Sequence, residues 1–179
     1  MIDLRMVTVT LLATALLGAC ASPVPRAPEA DAGGPFLAPT AVRETQAPDS
    51  PPALLAAVRT AEHPGFDRVV FEFGEGAIPG YRVAYLRGPA QDCGSGEEKP
   101  VAGGARLEVT LRPANAHTEE GQPTIPFREK PLTLPVLREV ERTCDFEAVV
   151  TWVVGVSTQQ PFRVTELSGP PRLVVDVEH

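Results

Sequence analysis

Between Arg68 and Val177 the chain repeatedly alternates apolar and polar residues, and that restricts it to strands. Arg106-Leu-Glu-Val-Thr-Leu-Arg112 is the cleanest case, sending Leu107, Val109 and Leu111 to one face and its charged and hydroxyl side chains to the other. Arg68-Val-Val-Phe-Glu-Phe73 does the same with Val69, Phe71 and Phe73, and Tyr81-Arg-Val-Ala-Tyr-Leu86 with Tyr81, Val83 and Tyr85. Successive strand residues point to opposite faces, so this period marks half-buried antiparallel strands. Glu147 to Val156 is apolar on both faces and reads as a central strand covered on two sides, with Trp152 in the core. Phe162 to Leu167 and Arg172 to Val177 read as a closing pair. Pro-Gly and Gly-Pro pairs punctuate the segments at 64–65, 79–80, 88–89 and 169–170. Short strands at this spacing predict an all-β antiparallel sandwich or an open barrel. One window, Pro52 to Arg59, has helix-favouring composition, and a first strand is its alternative.

The first residues follow another logic. Met6 to Leu17 is an apolar run of twelve, followed at once by Gly18-Ala19-Cys20. A run of that length ending in small residues is a secretory signal, too short for the roughly 20 residues of a membrane-spanning helix. Leu17-Gly18-Ala19-Cys20 resembles the bacterial lipobox. The resemblance implies a signal over 1–19, lipidation of the Cys20 sulfur and a mature chain that begins there. A plain secretory signal is the alternative. Residues 21–52 contain eight prolines among Ala, Ser and Gly. So little apolar surface does not offset ordering entropy, so 20–52 reads as a solvated tether and 53–179 as the domain.

Two cysteines remain, Cys93 and Cys144, and an even pair in an exported domain is read as a disulfide. The formal net charge of −7 argues against nucleic acid, which calls for clustered basic residues, and against docking to anionic lipid. Any membrane link therefore rests on Cys20. The three histidines, His63, His117 and His179, show no metal-ligand spacing. No nucleophile elbow, zincin helix or phosphate-binding glycine loop occurs. Glu97-Glu98 and Glu119-Glu120 lie in polar, Gly-containing stretches where solvated charge explains them. No enzyme, metal or small-molecule cofactor is expected.

A binding role has more room. Pro113 to Pro135 reads as a long connection, and such loops are often functional. Asn115, His117, Glu119 and Gln122 could hydrogen-bond a sugar or short peptide, and Phe127 or Tyr81 could stack on a ring. The alternative is a loop pinned to the sandwich by its prolines and Phe127. Arg172 and Asp176, four apart in a strand, share the face opposite Leu173 and Val175 and read as an ion pair or a hydrogen-bonded strand edge.

His63 to Phe73, Pro79 to Tyr85 and Phe162 to Val177 resemble the AMIN-like domain of actinobacterial lipoproteins, with Pro170-Pro-Arg-Leu-Val-Val-Asp176 as the most specific part. That family is related to the AMIN module of N-acetylmuramoyl-L-alanine amidases and of secretin-type envelope proteins. The resemblance implies a small β-sandwich, a strand rather than a helix over Leu55 to Ala61, and no catalytic residues. It also implies a ligand in the envelope: peptidoglycan or an associated wall polymer, or else another envelope protein for which the module is an adaptor. An accessory domain of a degenerate hydrolase is a third reading.

Overall fold

Thirteen strands and no helix occur among the residues described by the computed structural model, 33–46 and 49–179. The expected signal and Cys20 lie outside those residues. In chain order the strands are β1 (Arg43–Thr45), β2 (Ala53–His63), β3 (Phe66–Phe73), β4 (Gly80–Tyr85), β5 (Ala90–Gln91), β6 (Glu98–Lys99) and β7 (Ala105–Arg112). There follow β8 (Ala114–Asn115), β9 (Glu129–Pro131), β10 (Leu137–Phe146), β11 (Val149–Val156), β12 (Phe162–Leu167) and β13 (Arg172–Glu178). One sheet runs β1-β4-β7-β11-β10-β9 and the other β12-β13-β3-β2-β8, while β5 and β6 make a separate hairpin. All pairings are antiparallel except β2 with β8. The fold is the expected all-β sandwich.

The alternating segments supply the interior. Val69 and Phe71 from β3, Leu107, Val109 and Leu111 from β7 and Leu173 and Val175 from β13 are fully buried between the sheets. Trp152 is fully buried too, with the Phe71 ring 6.3 Å away. Asp67 is the polar exception on that face of β3. Its Oδ2 accepts the backbone N–H groups of Val136 (2.7 Å) and Leu137 (3.0 Å), so one carboxylate ties the two sheets together. Such hydrogen bonds are what make a fully buried carboxylate tolerable.

β11 is covered on both sides, as its composition predicts. Val150, Trp152, Val154 and Val156 face the sandwich, while Val153 faces outward onto Ala90 and Val101. Those two belong to residues 86–104, which carry the β5–β6 hairpin and fold back over the outer face of the sheet as a flap. The approach is close. A Cβ at Gly155 would stand 1.9 Å from the Ala102 carbonyl oxygen, so only glycine fits. The Cys93–Cys144 disulfide joins the flap to β10 across 51 residues of sequence.

The strand that the family resemblance implies over Leu55 to Ala61 is present as β2, where burial of Leu55 and Val58 overrides the helix-favouring composition of Pro52 to Arg59. Other sequence expectations are corrected. The central strand starts at Val149 rather than Glu147. Glu147 and Ala148, with φ of 49° and 56°, form the two-residue turn into it from β10. β10 was not anticipated. Its Arg138, Glu139, Glu141 and Arg142 break the apolar pattern, and a register shift between Leu137 and Glu139 lets both Leu137 and Val140 reach the core. The stretch from 113 to 135 holds β8, β9 and the fully buried Ala114 and Ala116. Of the residues read as tether, 33–46 carry a bridge from Leu37 to Phe162 and the strand β1 on β4.

Candidate functional site

The β10–β11 turn determines what stands at one end of the six-stranded sheet. Two successive residues with positive φ match the right-handed twist of the flanking strands, so the hairpin closes tightly. Phe146, the last residue of β10, is left 64 % exposed. It is the one exposed large aromatic side chain among the described residues. Beside it opens a cleft of 510 Å³ lined by His117, Arg128, Arg142, Asp145 and Phe146, with the disulfide and Asp92 on its flap side.

The wall opposite Phe146 is a small hairpin within the 113–135 stretch. Thr118 N donates to the Gln122 carbonyl (2.8 Å) and Thr124 N to the Ala116 carbonyl (2.9 Å), with Gly121 at φ 78° making the reversal. Asp145 holds this hairpin to β10. Its Oδ1 accepts from Ala116 N (2.9 Å) and lies 3.0 Å from His117 Nδ1, and its Oδ2 lies 3.3 Å from Arg142. An ionised carboxylate only accepts, so Nδ1 carries the proton toward Asp145 and Nε2 of the half-exposed ring is left for a hydrogen bond with a ligand or solvent.

On the flap side, Asp92 Oδ1 accepts the backbone N–H groups of Gly94 and Ser95, and Oδ2 pairs with Arg128. These bonds, the Ser95 N–H first, hold its carboxyl at about 2, below the usual 3.8. Every charged group around the cleft is thus fixed by a neighbour. The cleft offers a rigid polar rim with one aromatic face.

The structure separates the residues expected from sequence to form a site. His117 lines this cleft, and Glu119 and Gln122 are exposed in the hairpin turn beside it. Asn115 lies in β8, paired with Leu54. Phe127 turns inward, edge-on to Trp152 at 5.8 Å, and so pins the loop rather than offering a stacking face. Tyr81 is 4 % exposed and donates its hydroxyl to Glu166 (2.9 Å), away from His117. Burial and that acceptor both push its phenol above the usual range. Neither ring is available as the sugar platform expected of it. The exposed ring is Phe146, which sequence reasoning missed. Its one signal is an aromatic next to the polar residues of a strand-to-strand turn.

His117 and His179 both have carboxylate neighbours, the latter 3.3 Å from Asp67. Among the described residues no hydroxyl or thiol is hydrogen-bonded to either ring, so neither acid–histidine pair has a nucleophile to activate.

A family model described as the AMIN-like domain matches residues 53–179. The chain belongs to the AMIN-like domain family. No curated protein and no solved structure matches it. The AMIN-like match spans β2 to β13, including the flap and the cleft, and leaves out only β1 of the sandwich strands. AMIN-like domains are non-catalytic modules of the cell envelope and act outside the cytoplasm. The disulfide of this AMIN-like domain is chemistry suited to that oxidising location.

Proposed function

We propose that this AMIN-like domain is a non-catalytic binding module of the cell envelope, moored by lipid on Cys20, that recognises peptidoglycan or an associated wall polymer through the Phe146 cleft. The observation that carries the reading is Phe146 itself, 64 % exposed beside a rim of mutually fixed polar groups. Sugar and peptide sites combine an apolar platform with a few oriented hydrogen-bonding groups. The His117 ring and the half-exposed guanidinium of Arg128 supply those groups beside the aromatic face. The acidic chain favours the uncharged sugar and short-peptide parts of the wall over its anionic polymers. The lipid on Cys20 rests on the lipobox-like sequence alone. Two chains give the durable hold that one does not.

Co-sedimentation of the purified protein with washed sacculi tests the recognition. Saturable pelleting supports it. Protein left in the supernatant, together with a discrete cross-linked partner in cells, would instead make the module an adaptor for another envelope protein. Fractionation of a Cys20→Ala strain tests the anchor separately: release from the membrane supports it, and unchanged membrane association refutes it.

A further inference from the structure

A second group of polar side chains lies on the outer face of β10, away from the Phe146 cleft. Glu139 and Glu141 flank the core residue Val140 and point away from the sandwich, and Glu129 of β9 stands directly across the ladder from Glu141. Their carboxylates each place an oxygen within 4.8 Å of the other two. Like charges directly opposite in an antiparallel pair destabilise it. Burial sharpens the conflict, since Glu139 and Glu141 are each only 5 % exposed.

Glu139 and Glu141 differ in their partners, and what little of Glu141 meets solvent includes its carboxylate. Glu139 Oε2 accepts the backbone N–H of Ala102 at 2.6 Å, which ties it to the flap. Glu141 accepts no hydrogen bond from the described residues, and among them no Lys, Arg or His nitrogen lies within 4.0 Å of it. One ladder neighbour is Val153, packed under Ala90 and Val101, and the other is Glu129. The nearby cations do not answer it. Arg128 is bonded to Asp92 and to the Arg142 carbonyl, and Lys99 makes no ion pair among the described residues. Burial first, then Glu129 and Glu139, pushes the Glu141 carboxyl above the usual range even with Arg128 and Lys99 opposing.

We propose that Glu129, Glu139 and Glu141 form a calcium-type cation site that pins the flap to the β9–β10 edge. The donor set is all oxygen, which suits a hard cation rather than zinc or copper. Three oxygens within 4.8 Å of one another can close around one ion with small side-chain movements, and the flexible calcium shell at about 2.3–2.6 Å accommodates such a set more readily than the rigid magnesium octahedron at about 2.1 Å. The ion supplies the opposite charge that Glu141 lacks. Through Glu139 and Ala102 it fastens the flap near residue 102, while the disulfide fastens it at residue 93. Sites in extracellular modules work at roughly 0.1–1 mM calcium.

The test is a thermal melt of the purified full chain, disulfide intact, with calcium chloride, magnesium chloride or choline chloride at equal ionic strength and an EDTA reference. Calcium should raise the melting temperature saturably, with half-effect at roughly 0.1–1 mM, and magnesium should need at least about tenfold more. Glu141→Gln should weaken the calcium half-effect at least about tenfold and melt no lower than the parent in EDTA, since it relieves repulsion. Glu129→Gln, on an exposed residue, should weaken the calcium response in the same direction if Glu141→Gln fails to fold. A parent melt indifferent to calcium, or a calcium response in a folded variant equal to the parent's, would overturn the site.

Discussion

Asp176 of β13 faces Arg68 of β3 directly across the ladder, and the two meet in a two-point ion pair at 2.6 and 2.9 Å. Arg163, the β12 residue opposite Asp176 on the other side, adds its Nε at 2.8 Å. The carboxylate is fully buried between two arginines that are 8 % and 5 % exposed. The aromatic rings of Phe36 and Phe66 lie 4.5 and 4.7 Å from the Arg163 guanidinium carbon. The sequence places Asp176 and Arg172 on one face and suggests they pair; the partners of Asp176 come instead from the two flanking strands.

Neutralising that carboxylate takes from two buried guanidinium groups the charge that bridges them. Asp176→Asn should therefore destabilise the fold by about 3–5 kcal/mol, as breaking a buried pair does. Urea unfolding of the oxidised protein measures it, and a loss below about 1 kcal/mol would show that the arginines find other acceptors.

The disulfide constrains a loop of about fifty residues, which on the chain-entropy account contributes about 4 kcal/mol. Reduction should lower the melting temperature and expose two titratable thiols at Cys93 and Cys144. Two thiols in the untreated exported protein would contradict the bridge.

Gly155→Ala should lift the flap, because the added methyl group meets the Ala102 carbonyl oxygen at 1.9 Å. A cost of about 1–3 kcal/mol is expected from overpacking, with faster hydrogen exchange at Ala102, whose N–H is bonded to Glu139. Unchanged stability and exchange would show that the flap does not rest on this contact.

Asp92 gives the flap a pH dependence of known sign. Its carboxyl is lowered from 3.8 to about 2 in the fold, so its contribution is complete above the ordinary value and disappears as the pH falls through about 2. Exchange of the Gly94 and Ser95 amides should accelerate between about pH 4 and 2. Asp92→Asn should remove most of that dependence, and an unaltered profile in this variant would exclude Asp92 as its source.

The strands with alternating core residues, such as Leu107, Val109 and Leu111, were legible because burial on one face leaves a period-two trace. Trp152 and the two-sided covering of β11 were legible for another reason, a continuous apolar run that leaves neither face polar. β10 was not, since its outer face carries Glu139 and Glu141 under a flap that no local pattern announces. The cysteine pair needed only composition and compartment. The Phe146 cleft was hidden for a different reason: whether a ring is inside or outside depends on strand register. Tyr81 and Phe127 were offered as stacking platforms, with Phe127 alternatively a loop anchor, and both are packed, whereas Phe146, at the last pair of its ladder, is exposed. Leu37 and Phe36 sit in a proline-rich stretch whose composition carries no sign that they meet Phe162 and Arg163.

Phe146→Ala, compared with the parent protein in co-sedimentation with purified sacculi, tests the binding account most directly. The exposed ring contributes little to folding, so stability should change by no more than about 0.5 kcal/mol. Affinity for the wall should fall about tenfold or more, the ~1.4 kcal/mol expected of an aromatic anchor. Undiminished pelleting of a well-folded Phe146→Ala protein would contradict the account.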